Sequence, residues 1–133
     1  MTNPSEDIKA EFRDYIKAFN TKDGSNLTPF FHNPILLVDR EKDPVILDES
    51  IIGKLKSFFG FKKVFKDLEE RGFDHSELDD EPQVKLLSKT LGSVTGNATR
   101  YKTDHSVLER FGYTYTFRQT SKGWKIVTGI IHD

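Results

Sequence analysis

Two histidines, His132 and His32, are the residues of this sequence best suited to proton transfer. An unperturbed imidazole titrates near neutral pH, so either ring could act as a general acid or base. His132 follows an apolar strand pattern but is next to the last residue given, where side chains are often frayed and solvated. His32 precedes Asn33-Pro34, so its alternative is a turn residue. We take His132 and His32 as the catalytic candidates.

A second chemical feature is an arginine beside an aromatic face. One face of a late alternating segment carries Phe111, Tyr113, Tyr115 and Phe117. One face of the segment before it carries Val94, Gly96, Ala98 and Arg100, whose small members leave room for a ligand. A guanidinium near an aromatic wall suits a carboxylate or phosphate. The alternatives are that this face points outward, or that Arg100 pairs with an acidic side chain. We predict Arg100, Tyr113 and Tyr115 as ligand-binding residues.

Two helices should support these residues. Ser5 can cap the first, whose apolar positions recur at helical spacing and include Tyr15. The second opens at Asp48 or Ser50 and ends at Arg71-Gly72. Its predicted buried stripe consists of Leu55, Phe58, Phe59, Phe65 and Leu68. Its many lysines fall mostly opposite that stripe, which indicates a solvated helix face.

Strand patterns occupy most of the remaining chain. The predicted strands are Ile35–Asp39, Val45–Leu47, His75–Leu78, Val84–Leu87, Leu91–Lys102, Val107–Gln119 and Trp124–Asp133. On the last strand, strict alternation would place Trp124, Ile126, Thr128, Ile130 and His132 on one face. Helices followed by a strand meander predict an α+β fold in which helices pack on one face of a curved antiparallel sheet.

Composition limits the class of protein. A chain of 133 residues predicts one domain, residues 1–133, and the absence of cysteine excludes disulfides, zinc–thiolate sites and thiol nucleophiles. Residues 1–83 are net acidic and residues 84–133 net basic, but a pI near 6.4 argues against a nucleic-acid partner. No segment is apolar enough to span a bilayer, and no signal core precedes the first helix. We expect a cytoplasmic protein with no membrane partner, no cofactor and no metal site, since metal-ligand and phosphate-loop motifs are lacking.

The element order and several segments resemble a known family. The segments are the Phe12–Phe19 helix, Phe30-Phe31 leading into Ile35–Val38, and Tyr113–Arg118 followed by Gly123–Ile126. They resemble the nuclear-transport-factor-2-like superfamily and, within it, the polyketide-cyclase-like (SnoaL-like) small domains. The likeness spans nearly the whole chain, but its motifs are loose and concern the fold rather than the chemistry.

The resemblance implies a cystatin-like cone, a bent sheet around a helix layer with a pocket open at one end. It also implies a homodimer through the outer sheet face, and in the enzymes of the family an Asp or His projects into the cone. Tyr15 on the first helix and Phe31 at the cone's edge join the ligand-binding candidates. No aspartate falls at the expected cone positions, so we favour a domain that binds a small, partly apolar, possibly anionic molecule.

Two other functions stay open at this stage. One is a cofactor-free lyase, isomerase or cyclase in which His132 or His32 works with Tyr113 or Tyr115 as a hydrogen-bond donor. The other is a protein-interaction module that dimerises through the outer sheet face and whose cone is filled by its own side chains.

Overall fold

Residues 3–133 are the part of the chain that the computed structural model describes. Two short 3-10 turns, Gly24–Asn26 and Thr28–Phe30, separate the first helix from the first strand. The helices and strands are α1 (Pro4–Phe19), β1 (Phe31–Val38), β2 (Val45–Leu47), α2 (Ile51–Glu70), β3 (Phe73–Leu78), β4 (Gln83–Leu86), β5 (Leu91–Lys102), β6 (Val107–Thr120) and β7 (Gly123–His132).

The sheet contains all seven of these strands in the order β2-β1-β7-β6-β5-β3, with β4 paired to the end of β5. The predicted α+β architecture of helices packed on a sheet is confirmed, with one difference in strand direction. β1 and β7 run parallel, while the other pairs are antiparallel. Five other strands and helix α2 separate β1 from β7 in the sequence, so no hairpin turn forces them to run in opposite directions.

Helix α1 begins two residues earlier than the sequence suggested. The side chain of Asn3, rather than that of Ser5, caps it by accepting a hydrogen bond from the Ser5 backbone N–H at 3.0 Å. Pro4 occupies the first turn, where its missing N–H costs no helical hydrogen bond. Ile8, Phe12 and Tyr15 recur at helical spacing and are buried against the sheet. Their burial attaches α1 to the inner face of β6.

A bulge in β7 changes which of its side chains face the helices. Ile126 pairs with Phe117, whereas Thr128 pairs with the preceding residue of β6, so one extra residue, Val127, is inserted. An inserted residue moves every later side chain to the opposite face. The prediction that Trp124, Ile126, Thr128, Ile130 and His132 share one face is therefore wrong. Beyond the bulge, Gly129 and Ile131 lie opposite Tyr115 and Tyr113 instead.

Helix α2 buries a different face from the one predicted. Phe65 and Leu68 are buried, as expected, but Leu55, Phe58 and Phe59 are more than half exposed. The other positions turned toward the protein are Gly53, Ser57, Phe61 and Val64. The first half of α2 thus presents large apolar side chains to solvent. In residues 3–133 neither helix is long and apolar enough to cross a membrane.

Candidate functional site

The interior between α1 and the sheet brings together Tyr15, Arg100, Tyr113 and Tyr115. These are four of the five predicted ligand-binding residues, and all of them line one small cavity. Phe12 stands at its centre, with its ring stacked on Tyr113 at 4.7 Å between centroids and 5.1 Å from Tyr115. The inward orientation of the aromatic face of β6 therefore forms a packed aromatic core.

This interior is filled by its own side chains. The remaining cavity has a volume of about 20 Å³. A single buried water needs roughly 10–15 Å³, so the space accommodates about one water and no organic ligand. Phe12, Tyr113 and Phe117 are among the fully buried side chains that take up the volume. The cone expected from the resemblance is, at this position, a hydrophobic core.

Arg100 is bound to an acidic partner inside the protein. Its guanidinium contacts the carboxylate of Glu109, which lies directly across the β5–β6 pair. It also stacks over the Phe111 ring at 4.7 Å from the centroid. The Glu109 carboxylate receives two further arginines, Arg71 at 2.8 Å and Arg40 at 3.3 Å. The alternative of a protein partner for Arg100 is what the structure shows, and a role in ligand binding gains no support.

Burial also determines the protonation state of the interior tyrosines. Desolvation raises the pKa of Tyr15 well above its usual value, raises the pKa of Tyr115, and raises the pKa of Tyr113 to about 12. The three hydroxyls are neutral at physiological pH. The Tyr113 hydroxyl has no hydrogen-bond partner among the described residues.

An alkaline titration should separate these three tyrosines from tyrosine in the unfolded chain. Because their pKa values are raised, the folded state is stabilised below the unfolded value of 10.0, and this stabilisation is lost as pH rises beyond it. We expect an ultraviolet titration of the native protein to show three of the four tyrosines ionising only above pH 10, together with unfolding. Ionisation of all four near pH 10 in the folded protein would contradict the filled core. The urea-unfolded chain is the control.

His132 lies on the opposite face of the sheet from this interior. Its ring nitrogens lie 3.1 Å from the Thr114 hydroxyl and 3.0 Å from the Asp133 carbonyl oxygen. It pairs across the strands with Gly112, a residue that alternates with the buried Tyr113. Because the bulge at Val127 reverses the last part of β7, His132 cannot join Tyr113 or Tyr115 in one pocket. The predicted histidine–tyrosine pair involving His132 is therefore not assembled.

An open groove lies elsewhere, between α2 and the segments around β1. It has a volume of about 1000 Å³, within the range of organic-ligand sites. Its apolar lining consists of Phe31, Ile35, Leu47, Phe58, Phe61 and Phe65. Phe31, the fifth predicted ligand-binding residue, stacks on Phe61 at 5.8 Å. The two rings form an aromatic wall across the junction of β1 and α2.

Local contacts hold the two sides of the groove together. Phe61 packs so closely on Gly24 that a Cβ at that glycine would lie 2.5 Å from the Phe61 Cβ. Any larger residue in place of Gly24 would push α2 away from the first 3-10 turn. The Asn33 side-chain oxygen accepts a hydrogen bond from the Glu49 backbone N–H at 3.1 Å, which ties β1 to the segment before α2. The groove is thus a built feature of the fold.

The charged groups of the groove differ in how far they are already engaged. Asp23 and Asp48 accept hydrogen bonds from the side chain and backbone of Ser25 and Ser50, respectively, which lowers the pKa of each carboxyl. In contrast, Lys22, Lys54 and Lys62 line the groove and form no ion pair with any described residue. Glu49 also lines the groove, and its carboxylate has no partner among the described residues. Three lysines against this one carboxylate leave the groove with an excess of positive charge.

His32 lies on the wall of this groove next to Phe31. Its Nδ1 is 2.9 Å from the carbonyl oxygen of Pro34. A carbonyl only accepts, so the neutral ring carries its proton on Nδ1 and leaves Nε2 as the basic nitrogen. Of the two predicted catalytic histidines, His32 is the one placed where a ligand could reach it.

Sequence reasoning missed the helix side of the groove. It assigned Phe58 to the buried stripe of α2 and the lysines Lys54 and Lys62 to the solvated face. It did not single out Phe61. The available signal was the run Phe58-Phe59-Gly60-Phe61, because three aromatic residues within four positions extend around more of a helix than one face can bury. Among residues 3–133, no three His, Asp or Glu side chains gather as metal ligands would.

Comparison with known proteins agrees with this architecture. Residues 5–133 match the family model described as NTF2-like protein (DUF6841). An NTF2-like protein with a cystatin-like fold from Novosphingobium aromaticivorans aligns with a TM-score of 0.77 and 13% identity over 97% of this chain and 80% of its own. An NTF-2 like protein of unknown function from Shewanella oneidensis gives 0.73 and 17%, covering 98% of this chain and 100% of its own.

A third similar structure is a ketosteroid isomerase-like protein from Erwinia carotovora, with a TM-score of 0.65 and 16% identity over 99% of this chain and 97% of its own. No curated protein matches the sequence. At these identities the likeness shows a shared fold and leaves the chemistry to the residues of this chain.

Proposed function

The chain belongs to the family described as NTF2-like protein (DUF6841), and from that premise we propose that it is a small-molecule-binding domain whose ligand lies in the groove beside α2. The observation that carries the proposal is the cavity of about 1000 Å³, which combines an aromatic wall with lysines that have no acidic partner. The groove replaces the filled interior around Tyr113 as the binding site.

The lining defines the class of ligand. Phe31, Phe58 and Phe61 offer apolar surface to a hydrocarbon or ring. Lys54 and Lys62 lie about two turns apart along α2, and both can donate to an anionic group. Asp23 and Asp48 already accept hydrogen bonds from their own turns, so Glu49 is the one acid of the lining whose carboxylate has no partner among the described residues, against three such lysines. A carboxylate with an apolar body satisfies both parts of the groove.

Calorimetric titration with decanoate tests this assignment, with decanol as the uncharged counterpart. Decanoate should bind at one site, and decanol should bind about tenfold more weakly because it lacks the charge-assisted hydrogen bonds. The variants Lys54→Gln and Lys62→Gln should each lower the affinity for decanoate by roughly tenfold, since each removes one cation from the groove.

The matched control is Lys85→Gln, which removes an exposed lysine on β4 away from the groove. This variant should bind decanoate like the wild type. The proposal fails if decanoate shows no saturable binding. It also fails if the Lys54 and Lys62 variants bind as well as the control does, because the ligand then lies elsewhere.

A second candidate function is a cofactor-free lyase or isomerase that uses His32 as its base. The observation favouring it is the groove position of His32 with Nδ1 held by Pro34. Deuterium exchange into the methyl group of acetophenone in heavy water, followed by NMR, is a direct probe of such a base. The wild type should accelerate the exchange and His32→Gln should not; equal rates would remove this candidate.

The remaining expectations concern assembly and subtype. A homodimer through the outer sheet face, a SnoaL-like subtype and a cytoplasmic location stay predictions. The filled interior agrees with the interaction-module alternative, and sedimentation velocity of the purified protein would test its dimer. A monomer at all concentrations would count against that alternative.

A further inference from the structure

The exposed face of α2 is an apolar surface distinct from the groove. Ile52, Leu55 and Phe59 recur at spacings of three and four residues, so they lie on one side of the helix. Ile51 is 82% exposed, Ile52 69% and Phe59 61%. None of these four side chains lines the groove. We call Ile51, Ile52, Leu55 and Phe59 the outer stripe of α2.

Exposure on this scale is unusual for side chains of this size. Single apolar residues are common on protein surfaces, but a contiguous set of them marks a site that binds another apolar surface. The edge strand β2 contacts α2 and contributes Ile46, which is 62% exposed. Exposed apolar side chains are thus found on both of these adjoining elements.

Charge identifies the kind of surface that the stripe fits. Between residues 51 and 66 the helix carries five lysines and no acidic residue. Lys56, Lys63 and Lys66 are exposed, lie outside the groove lining and form no ion pair with any described residue. An apolar stripe beside lysines that have no ion-pair partner is complementary to a surface with anionic groups on its outside and an apolar layer beneath them.

We propose that the outer stripe of α2 docks in the plane of an anionic lipid bilayer, with Ile52 and Phe59 entering the acyl boundary and Lys56, Lys63 and Lys66 contacting the headgroups. A helix lying in the interface needs no spanning segment, so the absence of one in the sequence does not bear on it. A lipid surface requires no pocket for the side chains that anchor in it.

A second copy of the chain fits this face less well. Helices packed through their outer stripes would bring two segments together that each carry five lysines and no acid over residues 51–66. Like charges at close approach oppose such a pairing. With negatively charged lipid headgroups the electrostatic interaction of these lysines is attractive instead of repulsive, and each lysine near the headgroups strengthens binding.

Cosedimentation with lipid vesicles tests the proposal on the full chain. The vesicles consist of phosphatidylcholine alone or of an equimolar mixture with phosphatidylglycerol. The wild type should sediment with the mixed vesicles, should do so less at high salt, and should stay in solution with phosphatidylcholine alone. The double variant Ile52→Ser, Phe59→Ser should lose binding, because it removes the two side chains that enter the acyl boundary.

The charge arm uses the triple variant Lys56→Gln, Lys63→Gln, Lys66→Gln, for which we expect a loss of roughly 100-fold in partitioning. Its matched control replaces three exposed lysines elsewhere, Lys85, Lys89 and Lys122, with glutamine and should partition like the wild type. All changed positions are exposed, and circular dichroism with a thermal melt verifies that each variant is folded.

Three results would overturn the proposal. The first is no binding to the mixed vesicles, and the second is equal binding to both vesicle types. The third is a wild type that is dimeric without lipid and becomes monomeric in the Ile52→Ser, Phe59→Ser variant, which would assign the stripe to a second copy. None of these variants changes a residue that lines the groove, so decanoate binding should not depend on them. A failed vesicle test therefore leaves the proposed function standing, and a failed decanoate test leaves the membrane proposal standing.

Discussion

Replacing Phe12 with alanine should destabilise the protein by about 3–5 kcal/mol, because the ring is fully buried and its removal leaves a cavity that rigid neighbours cannot close. Tyr113 stacks on this ring and Tyr115 tilts against it, and both are held by strand pairing. Equilibrium unfolding in urea measures the loss. The enlarged cavity should admit benzene, whereas the wild-type interior, with about 20 Å³ free, should not.

The same variant separates the filled interior from the groove as the ligand site. If ligands occupy the groove, folded Phe12→Ala protein should bind decanoate with wild-type affinity. Loss of decanoate binding in this variant, without loss of structure, would return the site to the cone. Phe12→Leu provides a milder version in case Phe12→Ala does not fold.

Tyr113→Phe is the matched control for this interior. It keeps the ring and removes a hydroxyl that has no hydrogen-bond partner among the described residues. Stability should change by less than about 1 kcal/mol, since no protein hydrogen bond is lost. A large loss of stability in this variant would mean that the Tyr113 hydroxyl forms a hydrogen bond that the structure does not show.

The fold could be predicted from the sequence in segments where the apolar residues follow one clear periodicity. β5 begins and ends where predicted, and the alternation of Phe111, Tyr113, Tyr115 and Phe117 correctly placed these four side chains on one face of β6, which is the inner face in the structure. When apolar and polar side chains alternate strictly along a strand, only one orientation of the strand buries all of the apolar side chains. The helix layer on a sheet then followed from the order of the elements.

The candidate site could not be predicted, for two physical reasons. Strict alternation assigned His132 to the same face as Trp124 and Ile126. One inserted residue at Val127 reverses the faces of all later residues of β7, and nothing in the composition of β7 marks the bulge. In α2, apolar residues surround much of the helix, so periodicity alone does not select the buried face. The close contact of Phe61 with Gly24, residues far apart in sequence, selects it and opens the groove.

The Glu109 carboxylate is the second place where a single change should have a large effect. It lies 15% exposed among Arg40, Arg71 and Arg100, which come from the segment after β1, the C-terminal end of α2 and β5. Glu109→Gln should destabilise the protein by about 2–3 kcal/mol, because three guanidinium groups would lose their shared anion. The value is below that of a fully buried pair because water reaches Arg71.

The pH dependence of this loss identifies its electrostatic origin. Burial alone would raise the pKa of Glu109, but hydrogen bonds from Arg71 and Arg100 outweigh it and lower the pKa below its ordinary 4.5. A lowered pKa gives stability that is present above the unfolded value and is lost as pH falls through the folded one. The difference in unfolding free energy between wild type and Glu109→Gln should therefore be full near neutral pH and shrink as pH falls below about 4.5.

Asp133→Asn is the control for this cluster, since it removes a carboxylate that also contacts Arg40 but is 94% exposed. Its effect should stay below about 1 kcal/mol, as for other solvated ion pairs. A difference between wild type and Glu109→Gln that did not change with pH would mean that Glu109 contributes by packing alone.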